Sequence, residues 1–191
     1  TVFVLMAVLF PFNGAQAQAL SRIEVTDVVA SPIFGRQITF TARIKASIQI
    51  IQVSLLFHEA RETATRVETL QLDADGRTSL VYDASQNLFP PFSNIIYWYQ
   101  VTLGDGSIET SDIFSVNYKD DRFPWRDIST GTVKGHWYDG DDAFAQAALD
   151  AAGSSLLQIN EIVPVTLSAP VDVYIYSTVE DLQGALTLGG E

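Results

Sequence analysis

Between residues 21 and 118 apolar and polar side chains take turns along the chain, and this constrains the fold more than any other feature. Ile38, Phe40, Ala42 and Ile44 are separated by Thr39, Thr41 and Arg43. Val53, Leu55 and Phe57 repeat the interval, as do Tyr97, Tyr99, Val101 and Leu103. A period of two in segments rich in Ile, Val, Thr and Tyr is the pattern of strands with one face in a core and one in water. Turn-forming residues punctuate the strands: Ser31-Pro32, Asp73-Ala-Asp-Gly76, Pro90-Pro91 and Gly104-Asp-Gly106. The last joins IIYWYQVTL to SIETSDIFSVNY, and a short Gly-containing loop between such segments predicts a hairpin. About seven strands over about 100 residues predict a β-sandwich for residues 19–118.

The alternation breaks at KDDRFPWRDISTG, and residues 119–130 read as a linker. Phe123 and Trp125 in such a segment are expected to pack against a neighbouring unit, the alternative being an exposed ligand platform. The charge changes at the same place. Residues 19–118 carry 7 basic and 11 acidic side chains, whereas residues 119–191 carry 4 and 12.

Residues 131–191 change period. TVKGHWYDG reads as a short strand with His136 and Tyr138 on one face and Trp137 on the other. Asp141 and Asp142 then open a helix, where carboxylates satisfy free N–H groups and complement the helix dipole. Phe144, Ala147, Ala148, Ala151, Ser155 and Ile159 form a stripe at helical spacing expected to lie on a sheet. Gly153 weakens the second half of that helix relative to Ala. The segment VDVYIY, residues 171–176, is apolar at nearly every position, as a strand covered on both faces would be. Ser177 or Thr178, with Glu180 or Asp181 three residues on, predicts a capped second helix. The order is β-α-β-α, the incomplete opening of an α/β domain.

Two clusters invite a metal reading. FHEARE, residues 57–62, begins like H-E-x-x-H, but its fifth position is Glu62 and a strand pattern runs into it, so His58 reads as a surface residue. His136, Asp139, Asp141 and Asp142 lack the ligand spacing and closing Glu of a calcium loop, and they read as capping and solvation. No catalytic, cofactor-binding or metal-ligating residue is therefore assigned.

The termini and composition place the chain in a compartment. Residues 2–12 are almost continuously apolar, about the length of a signal-peptide core and too short to span a bilayer unaided. Ala-Gln-Ala at 17–19, and again at 15–17, offers a cleavage pattern. Residues 1–18 thus read as a signal peptide shortened at its start, with a mature N-terminus near Ala19 or Leu20; a membrane anchor or buried strand are the alternatives. Leu-Gly-Gly-Glu directly after a helical pattern supports the expectation that the chain is a fragment. The absence of Cys excludes a disulfide framework and thiolate metal sites. A net charge of −12 argues against nucleic acid and anionic membrane surfaces as partners.

The order of these segments resembles a family. A secretory signal, an Ig- or fibronectin-III-like module ending in Asn117-Tyr-Lys-Asp-Asp-Arg-Phe-Pro-Trp125, then His136-Trp-Tyr-Asp-Gly-Asp141 and an Ala-rich helix are similar to the N-terminal part of secreted bacterial peptidase MA-like, gluzincin-type zinc metallohydrolases. The resemblance implies that residues 131–191 open a zincin-like α/β domain. It also implies zinc in the full-length parent but none in this chain, a bacterial extracellular or envelope location, the rest of the catalytic domain as partner, and a peptide or protein substrate. The H-E-x-x-H and later Glu of that family have no counterpart here, so no catalytic role carries over. Two other readings stand beside it: a non-enzymatic surface-binding or adhesion protein, and an Ig-like accessory module of another secreted hydrolase, such as one acting on polysaccharide.

Overall fold

A computed structural model of the chain describes residues 22–85, 89–164, 166–167 and 169–187. The signal peptide read at 1–18 and the terminal Leu-Gly-Gly-Glu lie outside the described residues. Among the described residues eight strands precede the linker: β1 (Ile23–Ile33), β2 (Gln37–Ala46), β3 (Ile50–Glu59), β4 (Arg66–Leu70), β5 (Arg77–Asp83), β6 (Ser93–Leu103), β7 (Ile108–Thr110) and β8 (Phe114–Tyr118). They form two antiparallel sheets, one ordered β1-β2-β5 and the other β4-β3-β6 with β7 and β8 both paired to β6. The alternation dictates which faces meet. Ile38, Phe40, Ala42 and Ile44 from one sheet, and Val53, Leu55, Phe57, Tyr97, Tyr99, Val101 and Leu103 from the other, are all buried in one core. The chain is mainly β and its first unit is a β-sandwich.

Phe57 sits at the centre of this core. Its ring lies 5.3 Å from Phe40, 4.9 Å from Tyr82 and 6.4 Å from Phe89, in the tilted and edge-to-face geometries that aromatic quadrupoles favour.

Two turn readings are resolved differently. Gly104-Asp-Gly106 does make the β6–β7 hairpin, closed by Leu103 N–H donating to Ser107 O and by Gly106 at φ +83°. Ser31-Pro32, in contrast, lies inside β1, with Pro32 opposite Ile38, and the chain reverses three residues later around Gly35 at φ +66°. β1 is the edge of its sheet, where a residue without an N–H costs no ladder hydrogen bond.

The hairpin loop is tied to the start of β1. Arg22 Nη2 donates to Asp105 Oδ2 at 2.6 Å, and the Ser107 backbone and hydroxyl both donate to Asp105 Oδ1. The Arg22 guanidinium, with Ser107 behind it, holds the Asp105 carboxyl at about 2. A depressed carboxylate stabilises the fold above its ordinary range and loses that contribution as pH falls through the folded value. The tie should therefore weaken between about pH 4 and pH 2. A carboxyl ¹³C titration should place Asp105 well below ordinary aspartates and Arg22→Gln should raise it part of the way back, the Ser107 donors still holding it down; an ordinary value with Arg22 intact would refute the tie.

The second unit has a three-stranded sheet ordered β9-β10-β11, made by β9 (Arg126–Ser129), β10 (Val133–Trp137) and β11 (Val171–Ile175). β9 occupies residues read from sequence as linker, and it pairs antiparallel with β10. α1 (Asp142–Ile162) joins β10 to the parallel β11, and α2 (Val179–Thr187) follows. The β-α-β-α order holds from β10 onward. Asp141 caps α1 by accepting the Phe144 N–H at 2.8 Å, and Thr178 caps α2 by accepting the Asp181 N–H at 3.0 Å.

The helix stripe is out of phase with its reading. Ala145 and Leu149 are the buried residues of α1, while Phe144 is 53% and Ile159 56% exposed. Gly135 on β10 sets the phase. A Cβ there would stand 2.1 Å from Leu149 Cδ1, so the absent side chain is the socket that Leu149 fills. VDVYIY is likewise not covered on both faces along its length, since Asp172 is exposed.

Candidate functional site

The two units meet in a cluster of aromatic rings built from the linker, the start of β6 and one face of the second sheet. Side chains alternate across β10 and β11, so Gly135 faces α1 whereas His136, Tyr174 and Tyr176 face the sandwich. Trp125 stands at the centre, edge-on to Phe92 at 5.1 Å, Tyr138 at 5.0 Å and Tyr176 at 5.1 Å. Phe123 stacks on Tyr138 with ring centroids 4.1 Å apart. The linker aromatics thus pack between units, as read from sequence.

Phe92 was not singled out by its sequence context. Its φ of +62° is left-handed, unusual for a bulky residue. Two hydrogen bonds hold it there, Phe92 N–H to Tyr118 O at 2.8 Å and Asn117 Nδ2 to Phe92 O at 3.1 Å. The conformation aims the ring at Tyr174, on which it stacks at 3.7 Å, and Tyr174 stacks in turn on His136 at 4.3 Å. Burial, and then the Asp172 and Asp127 carboxylates, push the Tyr174 phenol up to about 12.

His136 is 8% exposed and sits between two carboxylates. Its Nδ1 is 2.6 Å from Asp127 Oδ1 on β9, and its Nε2 is 2.8 Å from Asp172 Oδ1 on β11. Carboxylates only accept, so both contacts are hydrogen bonds when both ring nitrogens carry protons. Lys134 Nζ lies 3.7 Å from Asp127 on the same face. The imidazole laces three adjacent strands together and has no free nitrogen for a metal or for general base chemistry.

A second polar knot closes the junction. Asp120 is fully buried and accepts from Arg122 Nε at 2.8 Å, Arg122 Nη2 at 2.6 Å and the Tyr176 hydroxyl at 3.0 Å. Its backbone carbonyl accepts from Trp125 Nε1 at 2.7 Å. Arg122 reaches on to the Asp181 carbonyl of α2 at 3.2 Å. Burial, with Asp120 adding to it, pushes the Tyr176 phenol well above its ordinary range. Tyr138 donates to Asp181 Oδ2 at 2.7 Å; this bond holds Asp181 below the usual carboxylate range.

The residues weighed as metal ligands are dispersed. His58 lies on β3, a strand, with Nδ1 2.7 Å from Glu59 O and its ring edge-on to Trp98. Glu62 pairs with Arg66. Asp141 caps α1, Asp142 meets Arg126 at 3.2 Å, and Asp139 is exposed. Among the described residues no group of three or more His, Cys, Asp or Glu side chains could hold a metal ion. These residues do not fit the zinc that the family resemblance implies for a full-length parent. Among the described residues no nucleophile–base pair accompanies His136, and Asp127 and Asp172 are spent on it. The knot is chemically a clamp.

No family model matches the chain, and no curated protein matches it. Solved structures share stretches of the strand arrangement at low identity. A carbohydrate-binding module family 56 β-1,3-glucan binding domain is 14% identical, covering 49% of this chain and 98% of its own, with a TM-score of 0.34. A myokine is 9% identical over 50% of this chain and 95% of its own, with a TM-score of 0.38. A cycloalternan-degrading enzyme from Trueperella pyogenes is 15% identical over 58% of this chain and 16% of its own, with a TM-score of 0.35. Likeness at this level transfers neither ligand nor activity.

Proposed function

We propose that this chain is a non-catalytic supporting part of a larger secreted hydrolase. In this reading the β-sandwich is fixed against the opening strands and helices of an α/β domain whose chemistry lies elsewhere. The observation that carries it is the uncovered apolar surface of the second unit. Phe144, Leu157, Ile162, Val163, Val179 and Leu186 are all more than half exposed on or beside the two helices. A groove of about 380 Å³ along the second half of α1 is lined by Leu156, Leu157, Ile159, Val163 and Leu167. Patches of this kind mark surfaces that another element covers. On the far side of the sheet, the aromatic junction and the Asp120 knot supply the stiffness that a spacer holding a catalytic domain requires.

The zinc-peptidase identity of that hydrolase rests on the order of sequence segments, and the secreted location on residues 1–18. An antibody raised against the sandwich tests the proposal on protein from the source cells. The expected species is external, much heavier than the 21.0 kDa of this chain, carries zinc and cleaves peptides. A species of that mass with no zinc and no hydrolase activity would sink it.

A further inference from the structure

The geometry points to the outer face of the five-stranded sheet as a binding surface for a neutral polysaccharide. Cross-strand register puts three rows of side chains there. The middle row runs Val67, Leu56, Trp98 from β4 through β3 to β6. Ile113 extends it, because Phe114 opposite Tyr97 points inward and the residue before it points out beside Trp98. Val67 is 59% and Ile113 71% exposed, and Leu56 and Trp98 are half-buried. On one side lies the row Thr69, Ser54, Gln100, Thr110; on the other, His58, Ile96, Ser115.

None of these positions is Asp, Glu, Lys or Arg. In the whole chain 18% of residues are charged, and such residues concentrate where water is. A water-facing sheet surface in a chain of net charge −12 would ordinarily carry several. This face instead offers an apolar belt about 14 Å across four strands, edged on one side by the Thr69 and Thr110 hydroxyls and the Gln100 amide, with Ser54 buried between them, and on the other by His58 and the Ser115 hydroxyl. That chemistry matches a polymer with apolar C–H faces, many hydroxyls and no charge, with the indole of Trp98 as the central contact. A polyanion finds no cation here, and the chain's overall charge repels it. A second copy of this chain is disfavoured by area. Rows about 14 Å wide and strands about 20 Å long give on the order of 300 Å², against the roughly 800 Å² per partner that a stable dimer buries.

The inference stands independently of the hydrolase reading, since it concerns the sandwich alone. Native gels cast with dextran, soluble starch, galactomannan or hydroxyethylcellulose, and with alginate as a charged control, test it on the full chain. At least one neutral polymer should retard the protein, alginate should not, and the effect should change less than about twofold between low and high salt. Trp98→Ala should weaken retardation at least about tenfold, as expected of a central aromatic anchor. If that variant fails to fold, Val67→Lys, at an exposed position, should weaken it instead while leaving the circular dichroism unchanged. Migration unaffected by every neutral polymer would overturn the inference, as would retardation that both folded variants retain, binding to alginate lost with salt, or a concentration-dependent dimer that Trp98→Ala dissolves.

Discussion

Asp120→Ala should lower the unfolding free energy by about 3 kcal/mol, the lower end of the cost of removing one partner of a buried ion pair. The carboxylate is fully buried, and without it the Tyr176 hydroxyl loses its acceptor and the Arg122 guanidinium keeps only the Asp181 carbonyl. The lower end applies because Arg122 keeps 30% of its side chain in water and can turn outward. Arg122 also lies over the rings of Phe34 and Phe123 at 5.2 and 5.0 Å, so its movement loosens contacts on both sides of the linker. Asp120→Asn retains an acceptor but not the charge, and should fall between wild type and the alanine variant. Tyr176→Phe removes a single hydrogen bond and should cost about 1 kcal/mol. In a double-mutant cycle Asp120→Asn and Tyr176→Phe should couple, because they share that bond. Urea unfolding followed by tryptophan fluorescence reports the loss. An Asp120→Ala midpoint equal to wild type would mean that the knot is not closed in solution.

The junction also marks where sequence reading ran short. The sandwich was legible because alternation is a local property. Once Ile38, Phe40 and Ala42 share a face, only one side of β2 can enter a core, and the structure buries that side. Ser31-Pro32 misled because a turn residue is also tolerated on an edge, and edge status depends on the pairing of distant strands. β9 was hidden inside the linker because RDIS is short, charged and mostly exposed; it becomes a strand by pairing with β10. The α1 stripe came out of phase because an alanine-rich helix offers several small faces. Which one packs was decided by the missing side chain of Gly135. The clamp on His136 needed Asp127 and Asp172, 9 residues before it and 36 after it, so no local motif could reveal it. One signal was available: Asp172 is the lone carboxylate in an otherwise apolar strand, and a charge in such a strand usually has a partner.

Phe57→Ala should cost about 3–5 kcal/mol, the range for removing a large buried ring, and is expected to be the most damaging single truncation in the sandwich. Two contributions add. The first is the transfer free energy of a side chain with 0% exposure, and the second is the cavity that its neighbours cannot fill. Phe40 and Tyr82 approach the ring from the opposite sheet, and Phe89 from the loop before β6. Each is held by contacts of its own, Phe40 against Tyr97 at 5.2 Å and Phe89 against Tyr118 at 5.8 Å, so collapse onto the void would break other pairs. Phe57→Leu keeps most of the volume and should recover more than half of the loss. The control lies one residue away. Leu56 points outward from the same strand, and Leu56→Ala, removing a smaller and only half-buried side chain, should cost less than half as much as Phe57→Ala. Because the two positions are neighbours on β3 and both substitutions end in Ala, strand propensity is nearly common to the two, and the difference in their unfolding midpoints reports burial together with the larger size of the Phe57 ring. Equal losses at 56 and 57 would contradict the face assignment on which both the core and the outer surface depend.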